Sequence, residues 1–108
     1  LFYDSAFEKN KNIRKISGDS NSDPMWHLYP IFVKDRTRVF KALRDKGIGV
    51  QVNYVPANQH PVFTKLGYKP QNLPNSEKFY SQEISLPIYK GLSRSTLDKI
   101  VKSVEDSL

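Results

Sequence analysis

The chain has 108 residues, a net charge of +6 and no cysteine. This length suits a single domain with one modest core, and the lack of cysteine excludes disulfides, thiolate zinc sites and cysteine nucleophiles. No apolar run approaches the roughly 20 residues of a membrane helix and no secretory signal is visible, so we expect a cytoplasmic protein with no membrane partner.

The positive charge has two interpretations. It could serve an anionic partner such as nucleic acid, nucleotide phosphates or an acidic subunit. It could instead be a solvated, lysine-rich surface. The basic residues are scattered among acids without a block of five like charges, which favours the second interpretation.

The first 24 residues are predicted to contain the end of a helix and a loop. Phe2 and Phe7 are apolar among polar neighbours, residues 11–16 suit a brief extended segment, and residues 18–24 are mostly turn formers. The chain begins with leucine rather than methionine. We therefore expect it to be a piece of a longer protein.

Residues 25–33 read M-W-H-L-Y-P-I-F-V and predict the strongest strand, because they are aromatic or β-branched almost throughout. Both faces of this strand are largely apolar, which predicts that both are covered. Pro30 cannot donate a ladder hydrogen bond, which predicts an edge position or a bulge. His27 is either a buried structural histidine bonded to a neighbour or a residue that lines a site.

The next segment predicts a helix and a second strand. Asp35 is placed to cap a helix over residues 36–46. Its inward stripe consists of Val39, Phe40 and Leu43. Gly47 is predicted to end the helix, and the apolar residues that follow predict a strand over residues 48–53.

A loop rich in polar side chains follows this strand and is the candidate site. Its polar residues are Asn53, Tyr54, Asn58, Gln59 and His60. A helix over 61–66 follows, because proline suits a first helical position and the glycine at 67 suits the position after a helix. A rigid scaffold often presents a site on such a loop. Alternatively, Tyr54 packs into the core with its hydroxyl at the rim, and His60 is an ordinary surface residue.

The last third predicts two helices around a strand. Asn75 or Ser76 is expected to cap a helix over 76–82, and residues 84–88 predict a short strand. The inward residues of that helix are predicted to be Phe79 and Tyr80. Ser93 or Ser95 caps a final helix with a regular apolar stripe. The stripe consists of Leu97, Ile100, Val101, Val104 and Leu108.

The element order predicts an α+β fold with a small, mainly antiparallel sheet covered by helices. The pair Gly47 and Gly49 follows a helix rather than opening one and fits no nucleotide fingerprint. Two histidines are too few to indicate zinc, so no metal is expected. Glu77 and Glu83 flank a helix and are predicted to be solvated. The residues alone thus predict a basic α+β domain with one polar loop and identify no activity.

Short motifs nevertheless follow one another in a recognisable order. They are H-L-Y-P-I (27–31), L-R-D-K-G-I-G-V (43–50), V-N-Y-V-P (52–56), H-P-V-F (60–63), L-G-Y (66–68), E-K-F-Y (77–80) and E-I-S-L-P-I-Y (83–89). Together they resemble the C-terminal domain of the DegT/DnrJ/EryC1/StrS sugar aminotransferases, most closely the branch that acts on UDP-linked 4-keto amino sugars. The resemblance implies that residues 25–108 form the small domain of a fold type I enzyme and that residues 1–24 end an inter-domain helix and its loop.

The resemblance also implies a reaction. The complete enzyme would use pyridoxal 5'-phosphate (PLP) to move an amino group, usually from glutamate, onto a nucleotide-linked keto sugar for surface polysaccharides. It would act as a homodimer with active sites at the subunit interface. The Schiff-base lysine and most cofactor contacts would lie in its large PLP-binding domain. No catalytic or cofactor-binding residue is therefore assigned here, and the chain alone is expected to be inactive and to hold no cofactor.

Site residues follow from the same resemblance. The family's loop after Y-x-P often reads P-x-H-x-Q-P, whereas this chain has Asn58 in the histidine position and His60 in the glutamine position. Asn58 can donate and accept hydrogen bonds but carries no charge near neutral pH, which favours contact with a sugar hydroxyl or carbonyl over proton transfer. The predicted substrate contacts are Asn53, Tyr54, Asn58 and His60, with His27 as a further candidate.

Two other functions stay open. The chain could be a non-catalytic relative that serves as a partner or sensor. It could also be a nucleic-acid-binding module that stacks bases on Trp26, Tyr29 and Phe32, although it lacks the usual R/K-G-F/Y-G/A-F consensus. If the chain belongs to a sugar aminotransferase, no nucleic-acid partner is expected.

Overall fold

The computed structural model describes residues 1–16, 18, 21–69 and 72–108. Its sheet has three strands in the order β1-β2-β3, and both pairs are antiparallel. The strands are β1 (Arg14–Lys15), β2 (Tyr29–Phe32) and β3 (Glu83–Leu86). The predicted α+β class with a small antiparallel sheet and covering helices is confirmed. Residues 19 and 20 of the predicted loop 18–24 lie outside the described part.

Five α-helices and one 3-10 turn surround the sheet in the described part of the chain. They are α1 (Phe2–Ala6), α2 (Arg36–Asp45), a 3-10 turn (Ala57–Gln59), α3 (Pro61–Lys65), α4 (Pro74–Gln82) and α5 (Arg94–Glu105). The predicted helices are confirmed, as are the caps of α2 by Asp35 and of α5 by Ser93. None of the described helices is long and apolar enough to cross a membrane.

Helix α4 starts earlier than predicted. It begins at Pro74, and Leu73 occupies the cap position without a side-chain hydrogen bond. Proline suits this position because the first helical amide has no intrahelical partner. The predicted caps Asn75 and Ser76 are therefore wrong, and both residues lie within the first turn.

The prediction that Pro30 lies at an edge or a bulge is also wrong. Strand β2 is the central strand, and Pro30 pairs with Ser85 of β3 in an uninterrupted register. Strand β1 pairs only with Ile31 and Phe32. Pro30 therefore lies beyond the end of β1, and a central strand tolerates its missing amide.

The second predicted strand, over residues 48–53, does not form. Only Gln51 forms a bridge with β3, through its backbone N–H to the Ser85 carbonyl (3.2 Å) and its carbonyl to the Ser85 N–H (2.8 Å). Ile48 and Val50 are still buried, as their apolar side chains predict. Two residues further on, the Asn53 N–H donates to the Glu83 side chain at 2.8 Å and not to a backbone carbonyl.

The core lies between the sheet, α2 and α5. The predicted stripes of both helices face it. Its almost fully buried members include Val39 and Leu43 of α2, Ile31 and Ile84 of the sheet, and Val104 of α5. Burying such side chains stabilises each by roughly 1.5–3 kcal/mol relative to exposure, so this cluster holds the fold together.

The first 16 residues pack on the same core. Tyr3, Phe7 and Ile13 belong to the buried cluster, and the brief extended segment predicted within residues 11–16 is β1. The Tyr3 hydroxyl donates to the Pro87 carbonyl at 2.9 Å. Because Tyr3 bonds the residue that follows β3 and its neighbours pack in the core, residues 1–16 contribute to the stability of the sheet region.

Candidate functional site

The polar loop leaves the sheet directly after the Gln51–Ser85 bridge. The backbone N–H of Asn53 donates to Oε2 of Glu83 at 2.8 Å, and the peptide between Asn53 and Tyr54 is cis. The 3-10 turn at Ala57–Gln59 then curves the chain into α3. The loop is thus attached to the rigid sheet at its first residue.

Glu83 is buried, with 1% of its surface exposed, so the prediction that it is solvated is wrong. A buried carboxyl group is stable only when its oxygens accept hydrogen bonds. Here Oε1 accepts from the Ser85 hydroxyl (2.6 Å) and Oε2 from the Asn53 amide (2.8 Å). Glu77, by contrast, is exposed as predicted.

Tyr54 and Asn58 line one groove together with α4. The groove has a volume of about 610 Å³. We call it the Tyr54–Tyr80 groove; its side chains include Tyr54, Asn58, Asn75, Ser76, Phe79 and Tyr80. It combines aromatic rings with amide and hydroxyl groups. Tyr54 is 70% exposed, so the alternative that it packs into the core is wrong.

Helix α4 forms the far wall of this groove. The Phe79 ring meets Phe32 edge-on, with 4.9 Å between centroids, yet 40% of Phe79 stays exposed. Tyr80 is half-buried, and the Arg36 guanidinium lies 5.1 Å from its ring centroid. The predicted inward orientation therefore holds only in part, because each ring has one side against the fold and one side free.

Asn53 and Asn58 present amides near the loop's two ends. Nδ2 of Asn53 is buried and has no hydrogen-bond partner among the described residues. Leaving such a donor unpaired costs about 1–3 kcal/mol. Asn53 does not itself line the Tyr54–Tyr80 groove, so the predicted contact between Asn53 and a substrate stays a prediction.

The two histidines lie outside the Tyr54–Tyr80 groove. Nε2 of His60 lies 3.2 Å from the Val55 carbonyl, so the exposed ring folds back on its own loop. His27 precedes β2 and is exposed, so its interpretation as a buried structural histidine is wrong. It lines a separate cleft of about 380 Å³ with Gln51 and Tyr89. Strand β2 begins only at Tyr29, so His27 lies outside it although the predicted strand covered residues 25–33.

The described lining of the Tyr54–Tyr80 groove includes no lysine. The described lining therefore offers no amine that could form a Schiff base with PLP. Within the described ranges, no three His, Asp or Glu side chains come together as metal ligands.

Sequence reasoning missed the side chains that α4 contributes to the groove, and it missed the burial of Glu83. Asn75 and Ser76 were assigned only as caps, and Glu83 only as a solvated acid. Strand alternation places Glu83 on the same face of β3 as Ser85, but it does not identify Asn53 as the partner of Glu83.

Two curated relatives match this chain over nearly its whole length. The UDP-4-amino-4,6-dideoxy-N-acetyl-β-L-altrosamine transaminase of Campylobacter jejuni is 34% identical over 99% of this chain and 28% of its own length. The spore coat polysaccharide biosynthesis protein SpsC of Bacillus subtilis is 30% identical over 96% of this chain and 29% of its own. The chain thus spans under a third of these relatives.

A solved structure has the same fold. A Streptococcus pneumoniae protein described as a sugar aminotransferase, Spr1654 in its PMP form, superimposes with a TM-score of 0.85 at 27% identity, over 98% of this chain and 29% of that one. The family described as the DegT/DnrJ/EryC1/StrS aminotransferase family matches residues 1–105. With nearly its whole length matched, this chain belongs to the DegT/DnrJ/EryC1/StrS aminotransferase family.

Proposed function

We propose that the chain is the small C-terminal part of a PLP-dependent aminotransferase that transfers an amino group from glutamate to a nucleotide-linked keto sugar. The observation that carries this proposal is the family match over residues 1–105. The Tyr54–Tyr80 groove supports it, because two of the predicted substrate contacts line a groove of about 610 Å³.

The substrate class is proposed from the relatives and from the chemistry of the groove. The Campylobacter relative is named for a UDP-linked amino sugar, and SpsC for spore coat polysaccharide biosynthesis. A role in surface polysaccharide or glycan biosynthesis is accordingly proposed here. Sugar rings offer apolar faces and hydroxyl edges, which suit a groove of aromatic rings, amides and hydroxyls.

Each predicted contact has a proposed role. The Tyr54 ring covers a face of the sugar, and the Asn58 amide bonds its hydroxyl or carbonyl oxygens. Asn53 is proposed to donate a hydrogen bond to the substrate through Nδ2, which has no partner among the described residues. His60 and His27 are proposed as outer contacts, because neither lines the same groove.

The cofactor is proposed to bind elsewhere in the complete protein. PLP, when bound, supplies the electron sink of amino transfer. The Schiff-base lysine is assigned to the large domain. This chain contributes substrate binding, in a cytoplasmic homodimer with its active sites at the subunit interface.

The nucleic-acid alternative is disfavoured by burial. Tyr29 and Phe32 are each 2% exposed, and Trp26 is half-buried, so the three rings predicted to stack on bases are not free to do so. Part of the positive charge is also occupied: Arg38 donates to the carbonyls of Ser107 (2.9 Å) and Leu108 (2.7 Å). These contacts favour a structural role for charge at the end of α5.

An absorption spectrum of the protein expressed from the complete reading frame tests the proposal. Bound PLP gives a long-wavelength band, which glutamate should convert to the shorter-wavelength band of the aminated cofactor. A colourless protein that takes up no PLP would contradict the proposal and favour the non-catalytic alternative. As a control, an oligonucleotide should show no salt-dependent binding to the protein.

A further inference from the structure

Glu83 stands where the sheet gives way to the polar loop. The bridge between Gln51 and Ser85 sets an antiparallel register in which Asn53 lies opposite Glu83. In a continued ladder, the Asn53 N–H would donate to the backbone carbonyl of its partner. It donates instead to the Glu83 side chain, at 2.8 Å.

The carboxyl group therefore replaces a ladder acceptor and moves the chain outward. Its other oxygen accepts from the Ser85 hydroxyl at 2.6 Å, and Glu83 is 1% exposed. Both oxygens are occupied inside a packed environment, so the group has little freedom to shift. This arrangement ends strand pairing at Gln51 and fixes where the loop departs.

We propose that Glu83 is a positioning residue, which holds the Asn53 amide and thereby sets the loop so that Tyr54 and Asn58 face the Tyr54–Tyr80 groove. This inference rests on the proposed function for its effect on substrate, while the positioning itself does not. Glu83 contacts the loop and not the substrate. Its loss should weaken sugar binding and spare the reaction of the cofactor with glutamate.

Three variants of the full-length protein separate these effects. Glu83→Met removes both acceptors at similar volume. Glu83→Gln keeps an amide oxygen for the Asn53 N–H and serves as the conservative rescue. Ser85→Ala is the matched control, because it removes the neighbouring hydroxyl from the same buried cluster but leaves the contact with Asn53.

Residue-resolved amide hydrogen exchange tests the positioning. In the wild type, the Asn53 amide should exchange slowly. In Glu83→Met, the hydrogen-bonded amides of Asn53, Gln59 and His60 should exchange about tenfold faster, as expected for the loss of one hydrogen bond. Glu83→Gln and Ser85→Ala should remain within about twofold. The proposal would be overturned if the Asn53 amide exchanged freely in the wild type. It would also be overturned if Ser85→Ala accelerated exchange as much as Glu83→Met does. The wild-type result decides even if Glu83→Met does not fold.

The two amino donors test the effect on substrate. Loss of PLP-form absorbance is followed with glutamate and, separately, with the amino sugar nucleotide for which the Campylobacter relative is named. Glu83→Met should raise the half-saturating concentration of the sugar at least about tenfold and leave that of glutamate within about twofold. An equal change for both donors would overturn the inference. A wild type that reacts with glutamate but not with this sugar would instead contradict the proposed substrate, and hydrogen exchange would still decide the role of Glu83.

Discussion

At the scale of residues, burial separates side chains that look alike in the sequence. Glu77 and Glu83 are both acids that flank α4, yet one is exposed and the other buried. The difference arises from partners distant in sequence, since the Asn53 amide lies 30 residues away from Glu83. Local pattern could not predict this contact, nor the exposure of His27.

Two buried tyrosines are expected to make the fold less stable at alkaline pH. Burial raises the pKa of Tyr3 to about 12. Burial and the hydrogen bond to Asp4, whose Oδ1 lies 2.6 Å from the hydroxyl, raise the pKa of Tyr29 further. Unfolded tyrosine titrates near pH 10, so both groups favour the folded state below that pH. We expect the free energy of unfolding to fall as pH rises from about 10 towards 12.

Urea unfolding at several alkaline pH values measures this effect. The Tyr3→Phe, Tyr29→Phe double variant should lose less stability over this range than the wild type. Tyr68→Phe is the control, because Tyr68 is 66% exposed, and its slope should match that of the wild type. An unchanged slope in the double variant would refute the assignment.

At the scale of elements, sequence pattern predicts those that meet the core. Helices α2 and α5 follow their predicted stripes because apolar side chains at helical spacing bury against the sheet. Helices α3 and α4 bury no residue in the described structure, so the spacing of their apolar residues does not predict how they pack. The strand over 48–53 failed for another reason: a side chain from β3 takes the amide that a backbone carbonyl would take.

Substitution within α2 tests the role of this helix. Leu43 is fully buried, so Leu43→Ala should lower the free energy of unfolding by roughly 2–5 kcal/mol. Lys41→Ala, on the exposed face of the same helix, should change it by less than about 1 kcal/mol, because its ion pair with Asp45 is solvated. Chemical unfolding measures both, and similar losses would contradict the placement of α2 against the core.

At the scale of the whole molecule, length predicted one domain and the order of the elements predicted an α+β class, but neither identified the activity. Net charge alone left nucleic acid, nucleotide and acidic partners open, and contacts such as those of Arg38 with the end of α5 show that part of the charge is structural. The family emerged from motif order along the chain. The groove could not be predicted from the sequence, because Tyr54 and Tyr80 are far apart along the chain and line the same groove only in the folded structure.

The most direct measurement of the central claim is the affinity of the full-length protein for the amino sugar nucleotide, compared among the wild type, Asn58→Ala and Tyr54→Ala. Loss of PLP-form absorbance during titration gives the half-saturating concentration. Each substitution should raise it about 5- to 100-fold through lost hydrogen bonding or ring contact, while the response to glutamate stays within about twofold. Gln59→Ala is the control and should behave as the wild type, because Gln59 is exposed and does not line the groove. Unchanged sugar affinity in both variants would contradict the assignment of this groove to the substrate.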